Sequence, residues 1–193
     1  MQGSGVDASL NDKGRAQAEA FYDFYRSIPF EKIYVSRLKR SKESVANFIR
    51  DGLPFEEFEA LNEISWGNRE GQRITPEEDA YYHSVLRKWQ EGDTSLPIEG
   101  GESPDEVAIR QKPILDILHS GVNNNPILIC MHGRAMRILL CQILNYPLRS
   151  MDMFEHENLG LYLINRTESQ FTVDLYNNTD HLAAIKATKA VQA

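Results

Sequence analysis

The sequence predicts an α/β fold, a three-layer sandwich in which helices cover both faces of a mostly parallel central sheet. Two short apolar runs, "KIYVS" at 32–36 and "PILICM" at 126–131, have the length and composition of buried strands. Stretches with helical spacing precede, separate and follow these two runs. Strands that alternate with helices are typical of a parallel sheet, because two parallel strands need a long crossover between them.

The size of the chain predicts one domain. The sequence has 193 residues, of which 41% are hydrophobic and 25% are charged, as is usual for a soluble protein. This length is enough to bury a sizeable core. We therefore expect a single domain over residues 1–193, with a tail over about 182–193.

The N-terminal part predicts helix, strand, helix and an extended segment in turn. Asn11 can cap a helix that continues to Ile28, and strand 32–36 follows. A second helix is expected over 41–51, with Val45, Phe48 and Ile49 facing inward and Gly52 just past its end. Residues 55–63 then read as an extended segment that leads to a glycine-bearing loop.

Two helix starts in the middle of the chain are explicit. Thr75 and Ser103 are hydroxyl caps, each followed by a proline and then by acidic residues. The first helix should run to about Gly92. The second should run toward Leu118 but contains Pro113, which is expected to kink or split it.

The C-terminal part predicts a helix and two late strands. A helix is expected over 134–144, directly after the second apolar run. The runs 159–164 and 170–176 read as strands that form a hairpin. The tail from residue 182 is either a marginal helix or disordered.

Charge and cysteine usage exclude several classes of protein. The net charge is −7 and the isoelectric point is about 5.3, which disfavours binding to nucleic acids or anionic membranes. No apolar run approaches the roughly 20 residues of a membrane span. Cys130 and Cys141 lack the spacing of zinc ligands, so both are expected to be reduced and buried. We expect a cytoplasmic protein without metal or cofactor.

The stretch around His132 is the first candidate site. His132 and Gly133 follow a buried strand and precede a helix, and ligands bind at this edge of open α/β sheets. A glycine allows close approach to the backbone, and the helix start offers N–H groups to an anion. The alternative is a histidine that merely ends a strand.

Two further stretches could complete an anion site. Arg40 follows strand 32–36 and could bind phosphate oxygens with its planar guanidinium, although a solvated basic patch is the alternative. Glu63 precedes the glycine-bearing loop. A carboxylate beside an anion must be protonated, and a protonated one can serve as a general acid, while a surface glutamate is the alternative. Trp66 is either a lid over the site or part of the core.

Taken in order, five segments resemble the histidine phosphatase superfamily, also called the phosphoglycerate mutase-like family. Their order and spacing carry the resemblance, which spans residues 2–158. The segments are "QGSGVDASLNDKGRAQA", "IYVSRLKRS", "LNEISWGNREG", "GGESPDE" and "MHGRAMR".

This resemblance implies a phosphoglycerate mutase-like fold and a two-step reaction without metal. A histidine attacks phosphorus to form phosphohistidine, and water or a second hydroxyl then takes the phosphoryl group. His132 matches the second pocket histidine, Arg40 the second pocket arginine and Glu63 the proton donor. The residues that match substrate-binding positions are Gln2, Gly3, Trp66, Gly133 and Arg134.

The sequence departs from the family at its beginning. In the family a first strand ends in arginine-histidine-glycine, and that histidine is the nucleophile; the 193 residues contain no such tripeptide. We therefore expect that the chain as given lacks an N-terminal strand and loop of roughly 10–20 residues. Without that interior strand, exposed strand edges predict low stability. A homodimer in which a strand of a second copy pairs with the exposed edge is a further possibility.

The resemblance implies three alternative functions. The first is a phosphomonoesterase acting on small phosphorylated metabolites, with such a metabolite or inorganic phosphate as ligand. The second is phosphoglycerate mutase-type transfer, which the short insert between Glu63 and "GGES" disfavours. The third is a catalytically inactive remnant that binds an anion or a protein.

Overall fold

The computed structural model describes residues 2–73, 75–120, 125–167 and 170–190. Within these ranges the α-helices are α1 (Asp12–Tyr25), α2 (Lys39–Ser44), α3 (Ala46–Arg50), α4 (Pro76–Glu91), α5 (Pro104–Arg110), α6 (Lys112–Ser120), α7 (Gly133–Ile143) and α8 (Ala183–Ala190). The strands are β1 (Lys32–Ser36), β2 (Phe55–Phe58), β3 (Ile127–Cys130), β4 (Leu161–Thr167) and β5 (Gln170–Asn178). Short 3₁₀ helices lie at Glu59–Leu61, Gly67–Arg69, Leu148–Met153 and Asp180–Leu182.

Strand β1 lies between β2 and β3 and is parallel to both. Ile33 pairs with Phe55 on one side and with Leu128 on the other. Strands β4 and β5 pair antiparallel. The predicted α/β class, its parallel sheet and the late hairpin are therefore confirmed.

The chain divides into two compact units. The helical unit comprises Met1–Asp7, Glu59–Gly121 and Met131–Phe154. The sheet unit comprises Ala8–Phe58, Val122–Cys130 and Glu155–Ala193. The single domain over residues 1–193 stays a prediction.

The core of the sheet unit forms where α1 and α3 meet the inner residues of the parallel sheet. Its buried members are Phe21, Ile33, Val35, Val45, Phe48 and Leu128. Helix α1 is capped as predicted, since the Asn11 side chain accepts a hydrogen bond from the Gly14 N–H at 2.9 Å. The predicted end at Ile28 is wrong, because α1 ends at Tyr25.

The prediction of a single helix over 41–51 is also wrong. The chain forms α2 and α3 instead, and Val45 between them leaves the helical region with φ −120° and ψ 14°. Val45 is a member of the buried core of the sheet unit, as its inward-facing position in the sequence predicts. Gly52 follows α3 with φ 93°, the left-handed conformation that glycine adopts without strain.

The explicit helix starts are confirmed. Thr75 accepts a hydrogen bond from the Glu78 N–H at 3.3 Å, and Ser103 forms a reciprocal capping box with Glu106. Helix α4 ends at the left-handed Gly92, as predicted. The helix expected to kink or split at a proline is split, because α5 ends at Arg110 and α6 begins at Lys112.

A buried glutamine joins the helices of the helical unit. The Gln111 side chain donates to the carbonyl of Ala135 at 2.8 Å and accepts from the Gln142 amide at 2.8 Å. Both bonds link α7 to the junction of α5 and α6. Gln111 has no exposed surface, and these two bonds give its buried amide both a hydrogen-bond acceptor and a donor.

The remaining expectations concern the cysteines, the tail and membranes. Cys141 is buried as predicted, but Cys130 is only half-buried, and neither forms a disulfide. The tail forms α8, while residues 191–193 lie outside the described residues. None of the helices that the structure describes combines the length and the apolar composition needed to cross a membrane.

Candidate functional site

The candidate site is built around the start of α7. His132 is the residue before the first turn, with an extended backbone at φ −132° and ψ 160°. Its carbonyl accepts the Met136 N–H at 2.8 Å, but its side chain makes no capping hydrogen bond. The residue is 9% exposed, so the ring is held in a largely buried setting. The N–H groups at the helix start therefore need another acceptor.

That acceptor is the carboxylate of Glu63. Its Oε1 accepts from the N–H groups of Ala135 and Ile64, both at 2.9 Å, and its Oε2 accepts from the Arg134 N–H at 3.1 Å. Glu63 is 8% exposed, so these bonds form away from water. The side chain thus caps α7 from a distant point in the sequence. The alternative of a surface glutamate is wrong.

Opposing effects act on the protonation of Glu63. Burial raises the pKa of its carboxyl, whereas the backbone N–H groups of Ile64, Ala135 and Arg134 and the charge of Arg134 lower it. Burial is the largest effect, and the pKa lies above its ordinary value. A carboxyl group with a raised pKa keeps its proton to a higher pH than an ordinary glutamate, which suits a general acid.

Arg110, the last residue of α5, fixes the backbone of Glu63. Its guanidinium donates to the carbonyls of Ala60 and Asn62, both at 2.9 Å, and of Glu63 at 3.1 Å. Its Nε also pairs with the carboxylate of Glu102 at 2.7 Å. One planar group therefore anchors the segment that carries the candidate acid.

The side chain of Arg134 is held by groups of the helical unit. It pairs with Asp152, which also accepts from Arg137 at 3.0 Å, and its guanidinium lies 5.7 Å from the ring centre of Trp89. Burial alone would raise the pKa of Asp152, but the two arginines and a bond from Gln90 outweigh it, so this pKa is lowered. The ion pair fixes the first turn of α7.

Trp66 is part of the core. It is 6% exposed, stacks on Trp89 with ring centres 6.1 Å apart, and meets the edge of Tyr82 at 5.4 Å. This favours the core over the lid. Of the N-terminal residues predicted to line the pocket, Gly3 is buried and Gln2 is exposed.

Arg40 lies in the sheet unit. It occupies the first turn of α2, and its carbonyl accepts from the Ser44 hydroxyl at 2.8 Å. The turn before it is fixed by Ser41, whose hydroxyl donates to the carbonyl of Cys130 at 2.7 Å and accepts from the Ser36 N–H at 3.2 Å. The local backbone is therefore well determined, and a catalytic role for Arg40 stays a prediction.

The structure brings most of the predicted residues into the helical unit. Those residues are Gln2, Gly3, Glu63, Trp66, His132, Gly133 and Arg134. Sequence reasoning missed Arg110, Glu102 and Asp152, because charged residues on helices and in loops look like ordinary solvated groups. Among the described residues no cluster of metal-ligand type occurs, and the absence of a metal in the reaction stays a prediction.

The family model described as the histidine phosphatase superfamily (branch 1) matches residues 1–179. The chain belongs to the histidine phosphatase superfamily. This confirms the resemblance that the five segments predict.

Curated relatives of this superfamily member include a mutase and a phosphatase. The chain is 27% identical over 147 residues to 2,3-bisphosphoglycerate-dependent phosphoglycerate mutase 2 of Gloeobacter violaceus, covering 72% of this chain and 65% of the mutase. It is 25% identical over 189 residues to phosphoserine phosphatase 1 of Hydrogenobacter thermophilus, covering 96% of this chain and 89% of the phosphatase. The chain thus spans less than two thirds of the mutase and most of the phosphatase.

Solved structures share the fold of this superfamily member. A mycobacterial glucosyl-3-phosphoglycerate phosphatase matches with a TM-score of 0.79 at 24% identity, covering 93% of this chain and 92% of that one. Its complex with inorganic phosphate matches with a TM-score of 0.77 at 23% identity, covering 95% of this chain and 93% of that one. At this identity the likeness establishes the fold.

Proposed function

We propose that this chain carries the phosphate site of a phosphomonoesterase that acts on small phosphorylated metabolites through a phosphohistidine intermediate. One observation carries the proposal: a largely buried histidine stands at the start of α7, next to a buried glutamate that caps the same helix. The phosphatase among the relatives, and the similar phosphatase solved with inorganic phosphate, support this class of ligand.

The start of α7 suits an oxyanion. A helix N-terminus carries a partial positive charge, which favours an anion nearby even though the N–H groups of Arg134 and Ala135 are bonded to Glu63. In the proposed site the ring of His132 donates to an oxygen of the phosphoryl group, and the small Gly133 allows that group to approach the backbone. The family resemblance assigns Arg40 the role of a second cation, which neutralises the oxygens of the phosphoryl group during transfer.

Glu63 is the proposed proton donor. In the first step its protonated carboxyl gives a proton to the ester oxygen as the bond from phosphorus to that oxygen breaks. In the second step the carboxylate takes a proton from the water that attacks phosphohistidine. The raised pKa of Glu63 supports this cycle, because the group must be protonated before the first step.

The proposal assigns His132 a supporting role. The resemblance places the nucleophile in an arginine-histidine-glycine motif, and the 193 residues contain no such motif. We therefore expect phosphate binding from this chain, and hydrolysis where a histidine of that motif is supplied. Replacing His132 by alanine in a protein that does turn over separates the two roles, since loss of the nucleophile also abolishes phosphohistidine.

Two alternative functions, a mutase and a non-catalytic anion-binding protein, can be tested alongside the phosphatase. A mutase is favoured by the relative from Gloeobacter violaceus, and the interconversion of 2- and 3-phosphoglycerate after priming with 2,3-bisphosphoglycerate detects it. A non-catalytic anion-binding protein is the other alternative. Such a protein binds phosphate but turns over no ester.

The test compares ester hydrolysis with phosphate binding. Phosphate release is measured from p-nitrophenyl phosphate and from a panel of sugar and amino-acid phosphates, and inorganic phosphate is titrated calorimetrically. The variants are His132→Ala and Arg40→Ala, with the exposed His119→Ala and Arg50→Ala as matched controls. We expect the first two to weaken phosphate binding at least tenfold and the controls to leave it unchanged. Wild-type protein that binds no phosphate would contradict the proposal.

A further inference from the structure

A second carboxylate of the helical unit closes the turn that carries Trp66. Glu70 follows the 3₁₀ helix Gly67–Arg69, and its side chain reaches back over that helix. Its Oε1 accepts from the Trp66 N–H at 2.8 Å and from the Ser65 hydroxyl at 3.3 Å. The carboxylate thereby fixes the backbone at Trp66, a residue predicted to line the substrate pocket.

The N-terminal segment packs against the same carboxylate. A Cβ atom at Gly3 would overlap Oε1 of Glu70 and lie 2.6 Å from the carbonyl oxygen of Ile64. A Cβ atom at Gly5 would lie 2.8 Å from Oε2. Neither glycine has a left-handed backbone, so close approach to Glu70 is what favours glycine at both positions.

The other oxygen of Glu70 has no evident stabilising role. Oε2 is buried and has no hydrogen-bond partner among the described residues. A buried acceptor without a donor is unfavourable, and such atoms are uncommon in folded proteins. The interactions of the Glu70 side chain that the structure describes are therefore the two bonds to Oε1 and the packing of its carboxylate against Gly3 and Gly5.

We propose that Glu70 is a positioning residue for the substrate pocket, because its carboxylate is bonded to the turn that carries Trp66 and packs closely against Gly3 and Gly5. This inference rests on the proposed function in one respect, the identity of the ligand as a phosphate. The contact between Glu70 and the glycines does not depend on that function. Glu70 acts through Gly3, Trp66 and the adjoining Gln2, the residues matched to substrate-binding positions. It touches no substrate atom in this proposal.

Two substitutions of Glu70 separate positioning from charge. Glu70→Ala removes every contact of the carboxylate. Glu70→Gln keeps an amide oxygen that can accept from the Trp66 N–H, and its NH₂ group takes the place of the unpartnered Oε2. The matched control is Glu106→Ala, which removes a carboxylate of the same unit that accepts from the Ser103 N–H at 2.8 Å and from its hydroxyl at 3.0 Å.

Two readouts are measured on the full chain. Amide hydrogen exchange at residues 3–6 reports the order of the N-terminal segment, and calorimetry reports the dissociation constant for inorganic phosphate. For Glu70→Ala we expect faster exchange of this segment and an affinity about tenfold weaker, because the turn that carries Trp66 loses two hydrogen bonds and the segment loses its packing against the carboxylate. Glu70→Gln should stay within about threefold of the wild type. Glu106→Ala should lower the unfolding midpoint but leave both readouts unchanged.

Three results would overturn the inference. The first is a Glu70→Ala protein whose segment exchanges at the wild-type rate. The second is faster exchange with unchanged phosphate affinity, which would make the contact structural only. The third is a Glu70→Gln protein as impaired as Glu70→Ala, which would make charge the important property. A wild-type chain that binds no phosphate refutes the proposed function, and exchange at residues 3–6 then decides the positioning role alone.

Discussion

Glu63 combines two properties that usually exclude each other. Its carboxylate accepts three backbone hydrogen bonds, from Ile64, Arg134 and Ala135, which favours the charged form. Burial favours the neutral form and prevails, so the pKa is raised. The residue therefore stabilises α7 in one protonation state and can donate a proton in the other.

The raised pKa of Glu63 predicts a specific pH dependence of stability. The folded state binds this proton more tightly than the unfolded state, so the contribution is fully present below the ordinary value of 4.5. It is lost as pH rises through the raised value in the folded protein. Glu63→Gln cannot titrate, so the stability of the wild type relative to this variant should fall with rising pH above 4.5. Urea unfolding of both proteins between about pH 4 and 8 measures this difference.

The control for this prediction is Glu91→Gln at the exposed end of α4. Its stability relative to the wild type should not follow the Glu63 profile. A difference between wild type and Glu63→Gln that stays constant, or grows, with rising pH would contradict the raised pKa.

The two thiols are predicted to be unreactive in the folded protein. Burial raises the pKa of Cys130 and of Cys141 to about 11, so about one thiol in a thousand or fewer is ionised at neutral pH. Reaction with Ellman's reagent should be slow in buffer and should reach two thiols per chain in denaturant. Rapid modification of Cys130 without unfolding would contradict this prediction.

At the scale of the element, one arginine of α5 determines the position of the loop that carries Glu63. Arg110 donates to the carbonyls of Ala60, Asn62 and Glu63 while it pairs with Glu102. A lysine presents a single ammonium group, which cannot reproduce this planar set of donors. The loop and the cap on α7 therefore depend on the same side chain.

The variant Arg110→Lys should lower the free energy of unfolding by about 1–3 kcal/mol, because buried carbonyls lose charged donors. It should also weaken phosphate binding, since the carboxylate of Glu63 is displaced from the start of α7. Chemical denaturation and phosphate titration measure the two effects. Arg87→Lys on the exposed side of α4 is the control, and an equal effect of both variants would argue against the anchoring role of Arg110.

The capping box at the start of α5 is a second prediction at this scale. Ser103→Ala should destabilise the protein by about 1 kcal/mol, because the N–H of Glu106 loses its acceptor at 3.2 Å. Thr75→Ala removes a longer and more exposed cap of 3.3 Å on α4 and should cost less. The midpoints of thermal unfolding rank the two variants, and the reverse order would be evidence against the box.

Local chemistry made most elements predictable from the sequence. The caps at Thr75 and Ser103, the strand at 32–36 and the split between α5 and α6 each follow from a few neighbouring residues. The break at Val45 was not predictable, because Val45, Phe48 and Ile49 also fit the buried stripe of one continuous helix. Local propensity was there overridden by tertiary packing.

In the candidate site, too, the residues set by local sequence were predictable and the contacts between distant segments were not. His132 and Gly133 could be found from a strand followed by a helix, and the family resemblance singled out Glu63. The bonds from Glu63 to Arg134 and Ala135 join distant parts of the sequence, so no local pattern encodes them. The same holds for Arg110 and Glu70, whose partners are mostly backbone atoms of other segments.

At the scale of the molecule, an acidic chain is proposed to bind an anion. The net charge of −7 repels phosphate at long range, but this field is screened beyond about 10 Å at ordinary ionic strength. Affinity is therefore set by groups within the site, where hydrogen bonds to charged oxygens form away from water. For this reason the central claim is a local one, about the start of α7.

Phosphate bound only by the folded protein must also stabilise it. At a free concentration 100 times the dissociation constant, the gain is about 2.7 kcal/mol. For a chain of this size each kcal/mol raises the unfolding midpoint by roughly 2–4 °C, so a rise of about 5–10 °C is expected.

The most direct measurement is therefore the thermal unfolding midpoint of the 193-residue chain with increasing inorganic phosphate, beside His132→Ala and His119→Ala. The account predicts that phosphate raises the midpoint of the wild type and of His119→Ala by the same amount, and that the rise is lost in His132→Ala. A phosphate effect that is absent from the wild type, or that persists in full in His132→Ala, would contradict a phosphate site at the start of α7.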